Sequence, residues 1–221
     1  MFVANPVEFG FWHFVTRLGE LQLLLPVALW VCRDLMRQEA SRSLAVHWLF
    51  LLAMAVLLTL ASKIAFIGWG VGIAAWNFTG ISGHAMFAAA VFPPLMATLS
   101  SRLSPGGRMM LLVLGVALAA MVAVSRIEVG AHSLSEVLAG LCVGGIVSAY
   151  LIFDANHTRV RLSLYVPVLV IAWLIIVPTQ APQLPTHSLV TQLALKLSGH
   201  SHAYTRSELL RHKPPAPGMP T

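Results

Sequence analysis

Residues 125–153 read SRIEVGAHSLSEVLAGLCVGGIVSAYLIF, a short polar segment that runs into a long apolar one. The apolar part, 134–153, has the length of about 20 residues that a helix needs to cross the hydrocarbon core of a bilayer. The polar part places Arg126, His132 and Glu136 at the entrance to that helix. Ionisable side chains are costly near lipid, so those at a helix end are the first candidates for function.

The composition of the whole chain also indicates a membrane protein. The 221 residues are 57% hydrophobic and 10% charged, with a mean hydropathy of +0.80. Soluble domains carry about 25% charged residues, so this composition excludes a disordered chain and argues against an ordinary soluble enzyme. The basic residues are scattered over loops and the C-terminal end, which is typical of membrane topology signals and does not predict a nucleic-acid partner.

The apolar runs predict an all-α fold, a polytopic membrane helix bundle of about six transmembrane helices. The first helix must borrow from residues 9–18 to reach spanning length. We assign 1–178 to this transmembrane domain, with a four-helix core at 44–153 that carries the candidate site. The predicted spans are 19–32, 44–62, 83–99, 109–124, 134–153 and 162–177.

The end of the chain has a different composition from the rest. Residues 179–221 are polar and Pro-rich, and we expect them to form a solvated tail. Leu189, Leu193 and Leu197 fall four apart, which predicts one short interfacial helix within this tail. The histidines of the tail are too irregularly spaced to predict a metal site.

Basic residues distinguish the two sides of the predicted membrane. The short segments on one side carry only Arg17, Lys63 and Arg126, whereas the loops on the other side are rich in arginine. By the positive-inside rule the richer side is cytoplasmic, which puts the loops 63–82 and 125–133 and both termini outside. The cytoplasmic set is Arg33, Arg37, Arg42, Arg102, Arg108, Arg159 and Arg161, and the tail adds Lys196, Arg206, Arg211 and Lys213 to the outer side.

His132 and Glu136 are four residues apart at a helix start, so their side chains share a face. A carboxylate bonded to one imidazole nitrogen fixes the tautomer and leaves the other nitrogen free to attack or to take a proton. The same residues have a purely structural interpretation. Ser133 and Glu136 match a capping box, in which a serine N-cap is paired with a glutamate three residues later.

A second polar cluster precedes the predicted helix at 83–99. Ser82 can cap that helix, Gly83 allows a ligand to approach the backbone, and the first amides of the helix attract an anion. Together with His84, Lys63 and the residues at 125–136, these groups suit phosphoryl transfer. The cations and amides would hold a phosphate while one histidine attacks and another protonates the leaving oxygen. This chemistry requires no metal and no cofactor.

The polar segment resembles the third motif of the type-2 phosphatidic acid phosphatase superfamily, SRxxxxxHxxxD. Ser125 and Arg126 are followed after five residues by His132, and after three more by Glu136 in place of aspartate.

The other two motifs of that superfamily, PSGH and KxxxxxxRP, are present in weaker form. The second is present as Ile81-Ser-Gly-His84, with isoleucine where the family has proline. The first retains Lys63, but Gly70 and Val71 occupy the Arg-Pro positions. The resemblance covers residues 44–150.

The resemblance implies roles for three catalytic residues. His132 corresponds to the nucleophile that forms a phosphohistidine, and Glu136 to the carboxylate that orients it. His84 corresponds to the acid that protonates the leaving group and later activates water.

It also implies a set of residues that bind the substrate phosphate. These are Arg126, Ser82, the Gly83 amide, Ser125 and, as an added cation, Lys63. The absent Arg-Pro removes one further clamp.

The implied activity is hydrolysis of a lipid phosphate or diphosphate, either an isoprenoid diphosphate or a phosphatidate-like lipid. The expected location is a bacterial inner membrane, with the site facing the periplasm. A lipid phosphotransferase is a close variant, because an alcohol can intercept a phosphohistidine as water does. The weak first motif also allows a non-catalytic or transport-like protein that keeps the fold and the phosphate pocket. A structural subunit without a pocket would leave the two histidines, the arginine and the carboxylate unexplained together. The sequence leaves the oligomeric state open.

Overall fold

The computed structural model describes residues 6–157, 163, 165–180 and 186–211, and within them the chain is helical with no β-strand. This confirms the predicted all-α membrane bundle. The helices in the described ranges are α1 (Pro6–Arg17), α2 (Leu21–Met36), α3 (Glu39–Trp69), α4 (Gly83–Leu99), α5 (Pro105–Glu128), α6 (Leu134–His157), α7 (Tyr165–Gln180), α8 (Thr186–Ser198) and α9 (Arg206–Arg211).

Five segments of the described chain are long and apolar enough to cross a membrane. They are Gly10–Met36, Glu39–Trp69, Gly83–Arg102, Pro105–Glu128 and Leu134–Asp154. The sixth predicted span, 162–177, corresponds to α7, whose apolar part is shorter than these five.

The first span consists of two helices, α1 and α2. The chain turns between α1 and α2, at Gly19, before α2 continues to Met36. A Cβ at Gly19 would lie 2.5 Å from Val122 Cγ1 and 3.1 Å from His84 Cβ. This close approach brings the α1–α2 turn against the start of α4 and the C-terminal part of α5.

The second span is longer than predicted. We expected it to end at Ser62 with Lys63 in a loop, but α3 continues to Trp69. The following loop folds back along the helix, because the Ile81 amide donates to Ser62 Oγ at 3.0 Å. Gly80, with φ of +139°, packs directly on Lys63. Lys63 is therefore a helical residue that the loop partly covers.

Helix α4 is the centre of the bundle. In α4, 72% of the apolar segment is buried in protein, against 28–44% in the other four spans. Trp48 of α3 donates its indole N–H to the Ala90 carbonyl at 3.2 Å. Large apolar side chains of the surrounding helices, such as Phe50, Ile146 and Val168, remain exposed, as expected for surfaces that face lipid.

Small residues allow α6 to lie directly against α4. A Cβ at Gly140 would lie 2.6 Å from the Ser82 carbonyl oxygen, and one at Gly144 would meet the Met86 carbonyl oxygen. One turn further on, the Ser148 hydroxyl donates to the Ala89 carbonyl. Small residues four apart are the usual means by which membrane helices approach closely. This packing holds the start of α4 beside the start of α6.

Most described residues of the tail are exposed, as expected, but part of the tail packs against the bundle. Helix α8 packs on the C-terminal end of α3, where Ala194 is fully buried. The Tyr204 amide then donates to the Ile67 carbonyl at 3.0 Å. The predicted short helix is present as α8, with Leu189, Leu193 and Leu197 exposed on one side, and its interfacial position stays a prediction. Residues 181–185 and 212–221 of the tail lie outside the described chain.

We predict that Gly144→Ala destabilises the bundle and that Gly145→Ala does not. A Cβ at Gly144 would lie 2.8 Å from Ala89 Cβ and 2.9 Å from the Ala90 nitrogen, whereas Gly145 has no such neighbour within 4 Å. Overpacking typically costs about 1–3 kcal/mol, while alanine in place of a helical glycine favours the helix by about 0.5–1 kcal/mol. Thermal unfolding in detergent measures both variants, and equal midpoints would contradict the α4–α6 packing.

Candidate active site

The start of α6 satisfies both interpretations of its sequence. Glu136 Oε2 accepts a hydrogen bond from the Ser133 amide at 3.1 Å, and Ser133 Oγ accepts one from the Glu136 amide at 3.5 Å, which is a capping box. The same Oε2 lies 2.7 Å from His132 Nδ1. The carboxylate therefore caps the helix and contacts the imidazole at once, so the two interpretations do not exclude each other.

Two further segments of the chain bind the Glu136 carboxylate, which is 0% exposed. The Thr79 amide donates to Oε1 at 2.7 Å, and the Thr79 hydroxyl donates to the same oxygen. Arg206 of α9 places Nη2 at 2.9 Å from Oε1 and 2.8 Å from Oε2. A buried charge is tolerated only when it is paired and hydrogen-bonded. Arg206 supplies the ion pair, and Thr79 and Arg206 supply the hydrogen bonds.

Arg206 also binds the loop that contributes Thr79. Its Nη1 donates to Asn77 Oδ1 at 3.0 Å and to the Asn77 carbonyl at 3.3 Å. Asn77 has φ of +51°, a left-handed conformation that asparagine tolerates better than most residues. The guanidinium therefore connects the loop at 77–79, the tail and the Glu136 carboxylate in one network.

His132 lies between this carboxylate and two cations. Burial lowers the pKa of His132 below 6.5; the hydrogen bond to Glu136 opposes that shift, and the charges of Lys63 and Arg126 add to it. The imidazole is consequently neutral at neutral pH. With Nδ1–H donating to the carboxylate, Nε2 carries the lone pair, as a nucleophilic histidine requires.

The start of α4 faces the start of α6. The Ser82 amide donates to the main-chain carbonyl of Glu136 at 3.1 Å. The Ser82 hydroxyl does not cap α4 as predicted. It is fully buried and has no hydrogen-bond partner among the described residues, and the same is true of the Thr59 hydroxyl. The Thr59 methyl would lie 3.8 Å from a Cβ at Gly83, so the Thr59 side chain lies close to the glycine.

The structure brings the predicted histidines and cations together. His84 interacts electrostatically with Lys63, Arg126 and His132. Lys63, although it lies on α3, also interacts with Glu136 of α6. Groups predicted from three separate motifs therefore occupy one end of the bundle, where a cluster of cations can stabilise a phosphoryl group.

Arg126 is held by a helix that no motif includes. Its Nη1 donates to Thr16 Oγ1 of α1 at 2.6 Å, while its buried Nε has no partner among the described residues. Glu20 interacts electrostatically with the Arg126 guanidinium. Its Oε1 lies 3.8 Å from Arg17 Nε. The α1–α2 turn thus fixes the arginine at the edge of the site.

Ser125 is the one predicted phosphate-binding residue whose side chain is turned away from that task. Its hydroxyl donates to the Val122 carbonyl of its own helix at 2.6 Å. A serine has a single O–H to donate, so this hydroxyl has no hydrogen left for a phosphate oxygen in this arrangement. The expectation for Ser125 came from its place in the motif alone.

Sequence reasoning missed three residues of the site, namely Thr16, Thr79 and Arg206. The first two gave no recognisable signal. For Arg206 a signal existed, because the neighbouring Thr205 and Glu208 match a capping box and predict a helix start. Thr205 donates both its amide, at 2.7 Å, and its hydroxyl, at 2.8 Å, to Glu208.

Known proteins share the sequence and the fold of this chain. The sequence model of the PAP2 superfamily matches residues 21–161. The "Uncharacterized 22.5 kDa protein in cps region" of Klebsiella pneumoniae is 36% identical over 202 residues, which cover 90% of this chain and 97% of that protein. The crystal structure of a transmembrane PAP2-type phosphatidylglycerolphosphate phosphatase from Bacillus subtilis has a similar fold, with a TM-score of 0.57. The two chains are 22% identical, and the match covers 72% of this chain and 82% of the Bacillus subtilis chain.

We predict that Glu136→Asp lowers stability, even though aspartate is the residue of the third motif. The shorter side chain withdraws the carboxylate, so it cannot keep the bonds to Thr79, His132 and Arg206 together. Each buried donor left without a partner costs about 1–3 kcal/mol. The control is Glu128→Asp at the exposed end of α5. A thermal midpoint as high as that of the control would show that the donor network does not depend on the longer side chain.

Proposed function

Because this chain belongs to the PAP2 superfamily, we propose that it is an integral membrane phosphatase that hydrolyses a lipid phosphate or diphosphate through a phosphohistidine intermediate. The observation that carries this proposal is the pair formed by His132 and the buried Glu136, with Nδ1 and Oε2 2.7 Å apart. The pair lies beside two cations and a second histidine.

The residues have distinct roles in this reaction. His132 Nε2 attacks phosphorus, and the bond from phosphorus to the leaving oxygen breaks. His84, entering as the acid, gives its proton to that oxygen. In the second half-reaction a water molecule transfers a proton to His84 and attacks the phosphohistidine. This step releases inorganic phosphate and restores His132. The group that leaves in the first half-reaction is a lipid alcohol when the substrate is a monophosphate, and a lipid monophosphate when the substrate is a diphosphate.

The phosphoryl oxygens are held by side chains and by the start of α4. Arg126 and Lys63 provide positive charge, and the Gly83 amide lies at the first turn of the helix. The Ser82 hydroxyl supports this assignment, because it is fully buried without a partner in the described chain. A donor in that condition is matched by an incoming phosphate oxygen. Since these groups supply the charge, the proposed reaction uses no metal and no cofactor.

A lipid is the substrate that fits the position of the site. The catalytic groups lie at the outer ends of α4, α5 and α6, while the helices below expose apolar side chains. A lipid can therefore keep its chains in the bilayer and present its phosphate at headgroup depth. Isoprenoid diphosphates and phosphatidate-like lipids both meet this requirement.

Two alternatives use the same pocket. A lipid alcohol that intercepts the phosphohistidine in place of water would make the protein a phosphotransferase. The missing Arg-Pro of the first motif, replaced by Gly70 and Val71, favours a non-catalytic or transport-like protein that only binds the phosphate. Activity measurements separate these possibilities.

We predict that the purified protein releases phosphate from dioleoyl phosphatidate or farnesyl diphosphate in detergent with EDTA present, and that His132→Ala lowers the rate by about 10³-fold or more. The control is His47→Ala, which changes a half-exposed histidine on α3 that pairs with Asp154 at 3.5 Å. Equal inactivity of wild type and His132→Ala, with lipid binding retained, would support the non-catalytic alternative. Phosphate found on a lipid alcohol would support transfer.

We also propose that the site faces the periplasm of a bacterial inner membrane. The support is the arginine-rich set of loops on the opposite side, which the positive-inside rule assigns to the cytoplasm. A reporter fused after Arg108 should therefore be cytoplasmic, and one fused at Ala131 should be outside. The reverse pattern would place the chemistry in the cytoplasm.

A further inference from the structure

We infer that Arg206, supplied by the tail helix α9, is a positioning residue of the proposed phosphatase site. Its guanidinium holds the Glu136 carboxylate against His132, so that docking of the tail completes the site. The inference rests on the proposed function. It assigns a role to a part of the chain that lies beyond the residues matched by the superfamily, 21–161.

The contacts of Arg206 support positioning and not substrate binding. Nη2 lies 2.9 and 2.8 Å from the two oxygens of Glu136, and Nη1 donates to Asn77. Glu136 in turn contacts His132 Nδ1 at 2.7 Å. A group that reaches the nucleophile only through a carboxylate acts by fixing the orientation of the imidazole.

The packing around Gly70 explains why an arginine comes from the tail. Position 70 corresponds to the arginine of the first motif, but here it caps α3 in a left-handed conformation with φ of +72°. The Tyr204 ring would lie 2.9 Å from a Cβ at this position. An arginine at 70 is therefore incompatible with the docked tail. Arg206 lies two residues after Tyr204, whose ring occupies the space beside Gly70.

The tail is fixed in this position by independent contacts. The Tyr204 amide donates to the Ile67 carbonyl at 3.0 Å, and His200 Nδ1 lies 2.8 Å from the Gly68 carbonyl. Hydrogen bonds from Thr205 lower the pKa of Glu208 to about 2. The carboxylate that caps α9 is therefore ionised at every pH at which the protein would be assayed.

The first test compares Arg206→Gln with Arg211→Gln, which changes an exposed arginine of the same helix. Both are made in the full chain and assayed with dioleoyl phosphatidate and farnesyl diphosphate. We expect Arg206→Gln to lower kcat by about 10- to 100-fold, as loss of an orienting partner typically does, with KM changed less than about twofold. Arg206→Lys should recover part of kcat, while Arg211→Gln should match wild type. An unchanged kcat, or a loss confined to KM, overturns the inference.

The second test asks whether Arg206 acts through Glu136. In a Glu136→Gln background, Arg206→Gln should lower kcat by less than about twofold further, because the orienting carboxylate is already absent. Independent, multiplying losses would show that the arginine does not act through Glu136, and would overturn the inference.

The two hypotheses fail in different ways. If the wild-type protein releases no phosphate from either lipid, the proposed function fails and Arg206 has no reaction to support. If the wild type is active and Arg206→Gln is equally active, the proposed function stands and only the role of the tail is wrong.

Discussion

A single buried carboxylate organises the end of the bundle that carries the candidate site. Glu136 has no exposed surface, so every lone pair that water would satisfy must find a donor in the protein. The donors come from the start of α6, from the loop at 77–79 and from α9. Because a charge buried without partners is strongly destabilising, these three segments are held together by the same requirement. The imidazole of His132 is oriented as a result.

A second constraint concerns the backbone. Gly140 and Gly144 bring α6 against α4 so closely that main-chain atoms meet, and the Ser82 amide can then donate to the Glu136 carbonyl. The lipid-exposed faces of the helices tolerate many apolar side chains, whereas this contact tolerates only small ones. The mutual position of the motifs therefore depends on residues without functional groups.

The sequence was sufficient where contacts are local. The relation of His132 to Glu136 and the capping box with Ser133 follow from spacing along one helix, and the apolar spans follow from length. The sequence predicts Lys63 in a loop because its charge interrupts the apolar run, although residues 64–69 are again apolar and α3 continues to Trp69. The pairs Thr16–Arg126 and Arg206–Glu136 are separated by 110 and 70 residues. Such contacts depend on how the loops and the tail pack against the membrane helices, and no local sequence pattern predicts that packing.

The separation of Arg206 from Glu136 also bears on biogenesis. The start of α6 is synthesised 70 residues before its arginine, so a nascent chain carries the carboxylate with part of its donor set missing. Long-range contacts of this kind form late, because the intervening chain must be ordered first. A chain interrupted before α9 would lack Arg206, and with it part of the donor set of the Glu136 carboxylate.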